Sequence, residues 1–248
     1  MLEIICGDRH KTQWDFADHD CVMSSISSDN FNGEYKQEVG SLSETDRLRA
    51  ELQGLNLYLI GMMGSGKTTV GQQLAQRLGY QFFDTDAVVE QVAGQSIQDL
   101  FAELGEAGFR DLESRVLSEL CAYTQLAIAT GGGIVTRQEN WSYLRHGVIV
   151  WLDVPLAQLV TRLQADTRRP LLQQGDLPTR LADLLNQRRS LYAQADVQIS
   201  YQADESPEQL AVRILQQVQG IIKTPNSPPA QGNGARELPG EWERGSLE

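Results

Sequence analysis

Apolar residues along this chain arrive by turns in short unbroken runs and in widely spaced faces. Leu57, Tyr58, Leu59 and Ile60 form one such run, too short for a helix and suited to a strand buried on both sides. Beyond Thr68 the spacing changes: Val70, Leu74, Ala75 and Leu78 recur on one helical face, and Gly79 supplies a stop. The same alternation continues down the chain. Further strands are predicted over 81–83, Leu126–Ala129, 148–152 and Val197–Ser200. Helices are predicted over 86–92, 96–104, 106–123, Gln138–Leu144, after Pro155, over 179–194, and from Ser206-Pro207 to Gln219. Ser96 with Asp99 three residues on forms a near capping box, and Pro207 is suited to a first helical turn. Repeated strand–helix units predict an α/β fold, a parallel sheet with helices on both faces.

The pattern fails at both ends. Residues 1–53 hold no apolar period for three turns, and only Glu44–Leu52 reads as a helix. That stretch is expected to be an extension, disordered or loosely docked. Residues 223–248 carry PNSPPAQGNG and ELPGEWERG, the composition of a flexible tail. Between them, 54–222 is one domain of about 170 residues. Within it, the polar stretch 164–177 joins two helices and reads as a lid.

Composition narrows the class. A net charge of −12 excludes a nucleic-acid or membrane-surface protein, since both need a basic face. Cys6, Cys21 and Cys121 are odd in number, far apart and without metal-ligand spacing. They read as ordinary thiols in a reducing compartment. The acidic N-terminus lacks the pattern of a signal or transit peptide, and no apolar run has the length of a membrane span. The expected location is the cytoplasm.

The candidate chemistry follows the strands, because ligands in such sheets sit at the strands' carboxyl ends. After the first strand comes Gly61-Met62-Met63-Gly64-Ser65-Gly66-Lys67-Thr68, which fits G-x-x-x-x-G-K-[ST] between a strand and a helix. Glycines let backbone N–H groups curl inward, and the helix start adds its positive end. The expected ligand is a nucleoside triphosphate, with Lys67 on its phosphates and the Thr68 hydroxyl on Mg²⁺. After the second strand comes Asp84-Thr85-Asp86. One carboxylate suits Mg²⁺ and the other a substrate hydroxyl; Asp84 also suits a helix cap. After the third strand comes Gly131-Gly132-Gly133. Lys67 is the only lysine of 54–222, so the other cations are arginines, the side chain for bidentate recognition of carboxylate or phosphate. Arg137, Arg145 and Arg213 read as solvated.

The segments GMMGSGKTTVG, DTD, FRDLE, TGGG, RRPLL and RRSLY stand in the order and spacing of the shikimate kinase family. The resemblance runs from Leu55 to about Val218. It implies a three-layer P-loop kinase fold with a five-stranded parallel sheet in the order 2-3-1-4-5. It implies transfer of the ATP γ-phosphate to the 3-hydroxyl of shikimate, with Mg²⁺, in a monomer. Gly61, Met63, Gly64, Ser65, Gly66, Lys67, Thr68 and Thr69 match the ATP loop, and Arg162 an adenine-stacking arginine. Asp86 matches the base that holds the shikimate hydroxyls. Arg110 and Arg188 match the arginines on its carboxylate, and Gly131 and Gly132 the backbone contacts. Thr68 and Asp84 match the metal site. Arg169, with Lys67 and Asp86 in the catalytic set, matches a lid arginine that closes over the phosphates. Glu113 matches a glutamate that buttresses the substrate arginines. Two departures stand out. RRSLY has serine where many members have proline, which leaves Arg189 as a fallback for Arg188. The stretch 202–207 lacks the basic residue that some members place near adenine.

Overall fold

The computed structural model describes residues 44–164, 176–203 and 205–223. In chain order they form α1 (Glu44–Leu52), β1 (Asn56–Ile60), α2 (Lys67–Leu78), β2 (Gln81–Asp84), α3 (Thr85–Ala93) and α4 (Ile97–Cys121). After these come β3 (Leu126–Ala129), a 3₁₀ turn (Ile134–Thr136), α5 (Gln138–Leu144), β4 (Gly147–Asp153), α6 (Leu156–Leu163), α7 (Leu177–Tyr192), β5 (Val197–Ser200) and α8 (Pro207–Lys223). The five strands make one sheet in the order β2-β3-β1-β4-β5, and every pair is parallel. This is the order that the resemblance implies.

Alternation within β1 sorts the core into two layers. Leu57 and Leu59 face one side with Val70, Leu74 and Leu78 of α2 and Ala211, Ile214 and Val218 of α8. Tyr58 and Ile60 face the other with side chains from α3, α4, α5, α6 and α7. Both faces of β1 are buried, which is why its sequence shows no polar alternation.

Several boundaries differ from the sequence reading by a few residues. Inside α4 the backbone leaves helical geometry at Gly105 (φ 68°, ψ −177°), so the element kinks at the residue that separates the two predicted helices. α7 begins at Leu177, two residues before the predicted 179, with Asp176 as its cap accepting from the Thr179 N–H. One difference matters more. α1, placed in the N-terminal extension, packs on the core: Leu48 and Leu52 are buried among residues of α2 and α8. The predicted tail beyond Lys223 and most of the predicted lid, with Arg168 and Arg169, lie outside the described residues. Among the described residues no helix is long and apolar enough to cross a membrane.

Candidate active site

The carboxyl ends of β1, β2 and β3 are adjacent in the sheet, so their following loops converge. The loop after β1 turns through Gly61, Gly64 and Gly66, all at positive φ (138°, 76° and 95°). A side chain at Gly61 would also run into the Leu152 carbonyl, 2.8 Å from its Cβ position. The loop wraps Lys67, whose Nζ donates to the carbonyls of Gly61 (3.0 Å) and Met62 (2.9 Å). The ammonium is thus buried inside the loop at the N-terminus of α2, where an anion is favoured. Ser65 and Met63 are buried beneath the loop, while Thr68 and Thr69 are exposed at the helix start.

Each residue of Asp84-Thr85-Asp86 has its own task. One carboxylate oxygen of Asp84 accepts from the Asp86 N–H (3.0 Å) and caps α3; the other accepts from the Thr68 hydroxyl at 2.6 Å. Asp84 is therefore both a cap and a partner of the phosphate loop. Thr85 is fully buried, and its hydroxyl accepts from the Gly131 N–H at 2.9 Å, which locks β2's end to the triple glycine. Asp86 points at that same turn. A Cβ on Gly131 would lie 2.7 Å from Asp86 Oδ1 and would collide with Glu113 Oε1. A Cβ on Gly133 would collide with the Arg110 guanidinium. The glycines are needed because charged side chains crowd against this turn.

Those side chains form a buried cluster. Arg110 is 7% exposed, Glu113 1% and Arg188 5%. Glu113 Oε2 accepts from Arg110 Nη1 at 2.6 Å, while Oε1 has no hydrogen-bond partner among the described residues. Burial pushes the Glu113 carboxyl up from its ordinary range, against the pull of Arg110. Arg188 Nη1 donates to the Gly132 carbonyl at 3.2 Å. Its neighbour Arg189 turns the other way, pairing with Asp153 at 3.1 Å and lying over the Trp151 ring.

On the far side of the phosphate loop lies a cleft of about 280 Å³, lined by Gly64, Gly66, Thr69, Arg162, Tyr201 and Glu205 among others. Arg162 donates to the Gly64 carbonyl at 3.1 Å, with its guanidinium 5.2 Å from the Tyr201 ring centre. Arg213 makes a two-pronged pair with Glu205 (2.8 and 2.6 Å) and donates to the Ser200 carbonyl. Arg213 is thus a structural clamp and not a solvated residue. Arg137 likewise pairs with Asp111 and Glu139.

A sequence model of the family described as shikimate kinase matches residues 63–219. The chain belongs to the shikimate kinase family. A shikimate kinase from Trichormus variabilis is 60% identical over 172 residues, which are 69% of this chain and 95% of that protein. A shikimate kinase from Synechococcus elongatus is 51% identical over 181 residues, 73% of this chain and 95% of that protein. Among solved structures, a shikimate kinase from Acinetobacter baumannii in complex with shikimate aligns at 39% identity and a TM-score of 0.67, covering 70% of this chain and 97% of that one.

Two residues of this shikimate kinase family member escaped the sequence reading. Thr85 sits between the two aspartates that drew attention and gives no signal of its own. Tyr192 ends the RRSLY segment; its hydroxyl donates to the Gly132 carbonyl at 2.6 Å. A tyrosine at the end of an amphipathic helix reads as core, and only the fold brings it to the turn.

Proposed function

We propose that this chain is a shikimate kinase, transferring the γ-phosphoryl group of ATP to the 3-hydroxyl of shikimate to give shikimate 3-phosphate and ADP. The reaction lies on the way to chorismate and the aromatic amino acids. One observation carries the reading: a phosphate loop and a buried two-arginine cluster share the turn at Gly131–Gly133, with Asp86 beside both. Two buried guanidinium groups are costly unless counter-charged, and one buried carboxylate leaves that balance incomplete. An acid substrate completes it, with Arg110 and Arg188 on its carboxylate. Gly131 and Gly132 border the same substrate site.

Asp86 is the acceptor for the proton of the attacking hydroxyl. The hydroxyl oxygen bonds to the γ-phosphorus, the bridging bond to the β-phosphate breaks, and the proton passes to the carboxylate. Lys67 leaves the loop carbonyls for the phosphate oxygens and balances charge there. The backbone of Gly61, Met63, Gly64, Ser65, Gly66 and Thr69 surrounds the phosphates, and Arg162 faces the base in the adjoining cleft. Arg169, which lies outside the described residues, is the further cation assigned to the phosphates. Thr68 and Asp84 would hold Mg²⁺: a hydroxyl and a carboxylate oxygen side by side suit a hard ion that takes few protein ligands and keeps its waters. Bound there, the ion neutralises phosphate charge. The reading includes a cytoplasmic monomer.

The product tests it. Phosphorus NMR of a reaction with ATP and shikimate should show one new phosphomonoester, coupled to the proton on carbon 3. Inorganic phosphate alone, or an ester on another hydroxyl, would contradict the assignment of Asp86.

A further inference from the structure

Tyr192 is fully buried, one helical turn beyond Arg188 on the same face of α7. Its ring lies against Trp151, 5.9 Å between centres, and its hydroxyl lies 3.6 Å from the Met62 sulfur on the flank of the phosphate loop. Packing explains the ring and leaves the hydroxyl unexplained. Phenylalanine would fill the same space, and a hydroxyl is costly to bury unless it is fully bonded. Nor does the Gly132 carbonyl need it, since Arg188 already donates there. The hydroxyl instead shares an acceptor with Arg188. It donates to the Gly132 carbonyl at 2.6 Å, the same oxygen that the Arg188 guanidinium meets at 3.2 Å. With its proton committed there, the hydroxyl fixes the carbonyl against which Arg188 is set.

We propose that Tyr192 is the positioning residue of the acid-binding arginine: its hydroxyl sets Arg188 against the Gly132 carbonyl so that the remaining N–H groups meet a substrate carboxylate in one orientation. The inference rests on the reading of the site given above. Burial pushes the Tyr192 hydroxyl up to about 12, so it remains a donor throughout the working range.

The test compares shikimate with its methyl ester, which keeps the ring hydroxyls and lacks the carboxylate charge. In Tyr192→Phe, kcat/KM for the acid should fall about 5- to 20-fold and that for the ester less than about twofold, with KM for ATP unchanged. The acid-to-ester ratio does not depend on how much enzyme is folded. A second variant, Tyr192→Met, fills the pocket without a hydroxyl and should lower the ratio alike. Arg188→Ala should lower it further, and adding Tyr192→Phe to Arg188→Ala should then change nothing. Equal losses for acid and ester, or losses that multiply in the double variant, would overturn the inference and reduce Tyr192 to core packing. Wild-type protein that releases no ADP with shikimate would overturn the function itself, and wild-type turnover reads that separately.

Discussion

Arg188 and Arg189 are neighbours in the chain and opposites in the fold. Arg188 is buried against Gly132 beside Glu113, whereas Arg189 is half exposed and already paired with Asp153. A buried guanidinium gains far more from an incoming carboxylate than a solvated one does. Arg188→Ala should therefore weaken shikimate binding by roughly 2–3 kcal/mol, while Arg189→Ala costs less than about 1 kcal/mol. Titration calorimetry with shikimate checks both; a reversed ranking would mean that the arginine register is wrong. Sequence could narrow the choice to two positions but not decide it, because the serine between them and Tyr192 gives no register. Glu113 supplies a second test. Its carboxyl is raised by burial in the folded state, so above the ordinary carboxylate range folding must take up a proton, and stability falls as pH rises toward the folded-state value. Glu113→Gln removes that penalty. The Tm of the variant relative to wild type should thus rise from pH 5 to pH 8. A difference that stays flat would mean that Arg110 keeps Glu113 ionised throughout.

At the scale of elements, the centre of the sheet was legible because β1, β3 and β4 are buried on both faces and show as apolar runs. α1 was not. Its Leu48 and Leu52 make a single i, i+4 pair among Glu, Arg and Asp, too little to count as a period over nine residues. The surface that receives them, Ala211, Ile214 and Val218 of α8, comes from the far end of the sequence. Only the packed structure joins the two. Deleting residues 1–53 should accordingly lower Tm by about 5 °C or more, since two buried leucines contribute roughly 1.5–3 kcal/mol each. Deleting only 1–43 keeps the helix and should cost much less. Equal melting of both truncations would show that α1 contributes nothing to stability. Scanning calorimetry of the two chains decides it.

For the whole molecule, the convergence of the candidate site's loops was more legible than their supports. The phosphate loop, the two aspartates and the triple glycine each follow a strand, and a parallel sheet leaves one edge where such loops can meet. What the sequence does not carry is how tightly they interlock: Thr85 tying β2 to the glycine turn, Gly131 and Gly133 stripped of side chains to admit Glu113 and Arg110, Tyr192 reaching back from α7. Those links join residues far apart in sequence, and no local pattern encodes them. The same assembly makes the central claim specific. An acidic chain, of net charge −12, would bind two anions only where cations are concentrated, and Lys67, Arg110 and Arg188 do so at one sheet edge. The most direct measurement is ADP release from ATP and Mg²⁺ in a coupled assay, with shikimate, gluconate and nucleoside monophosphates offered in turn. Shikimate alone should drive release, and Lys67→Met should lower kcat by more than about a hundredfold while retaining the fold. Release driven by gluconate or a nucleotide instead, or near-normal turnover by folded Lys67→Met protein, would contradict it.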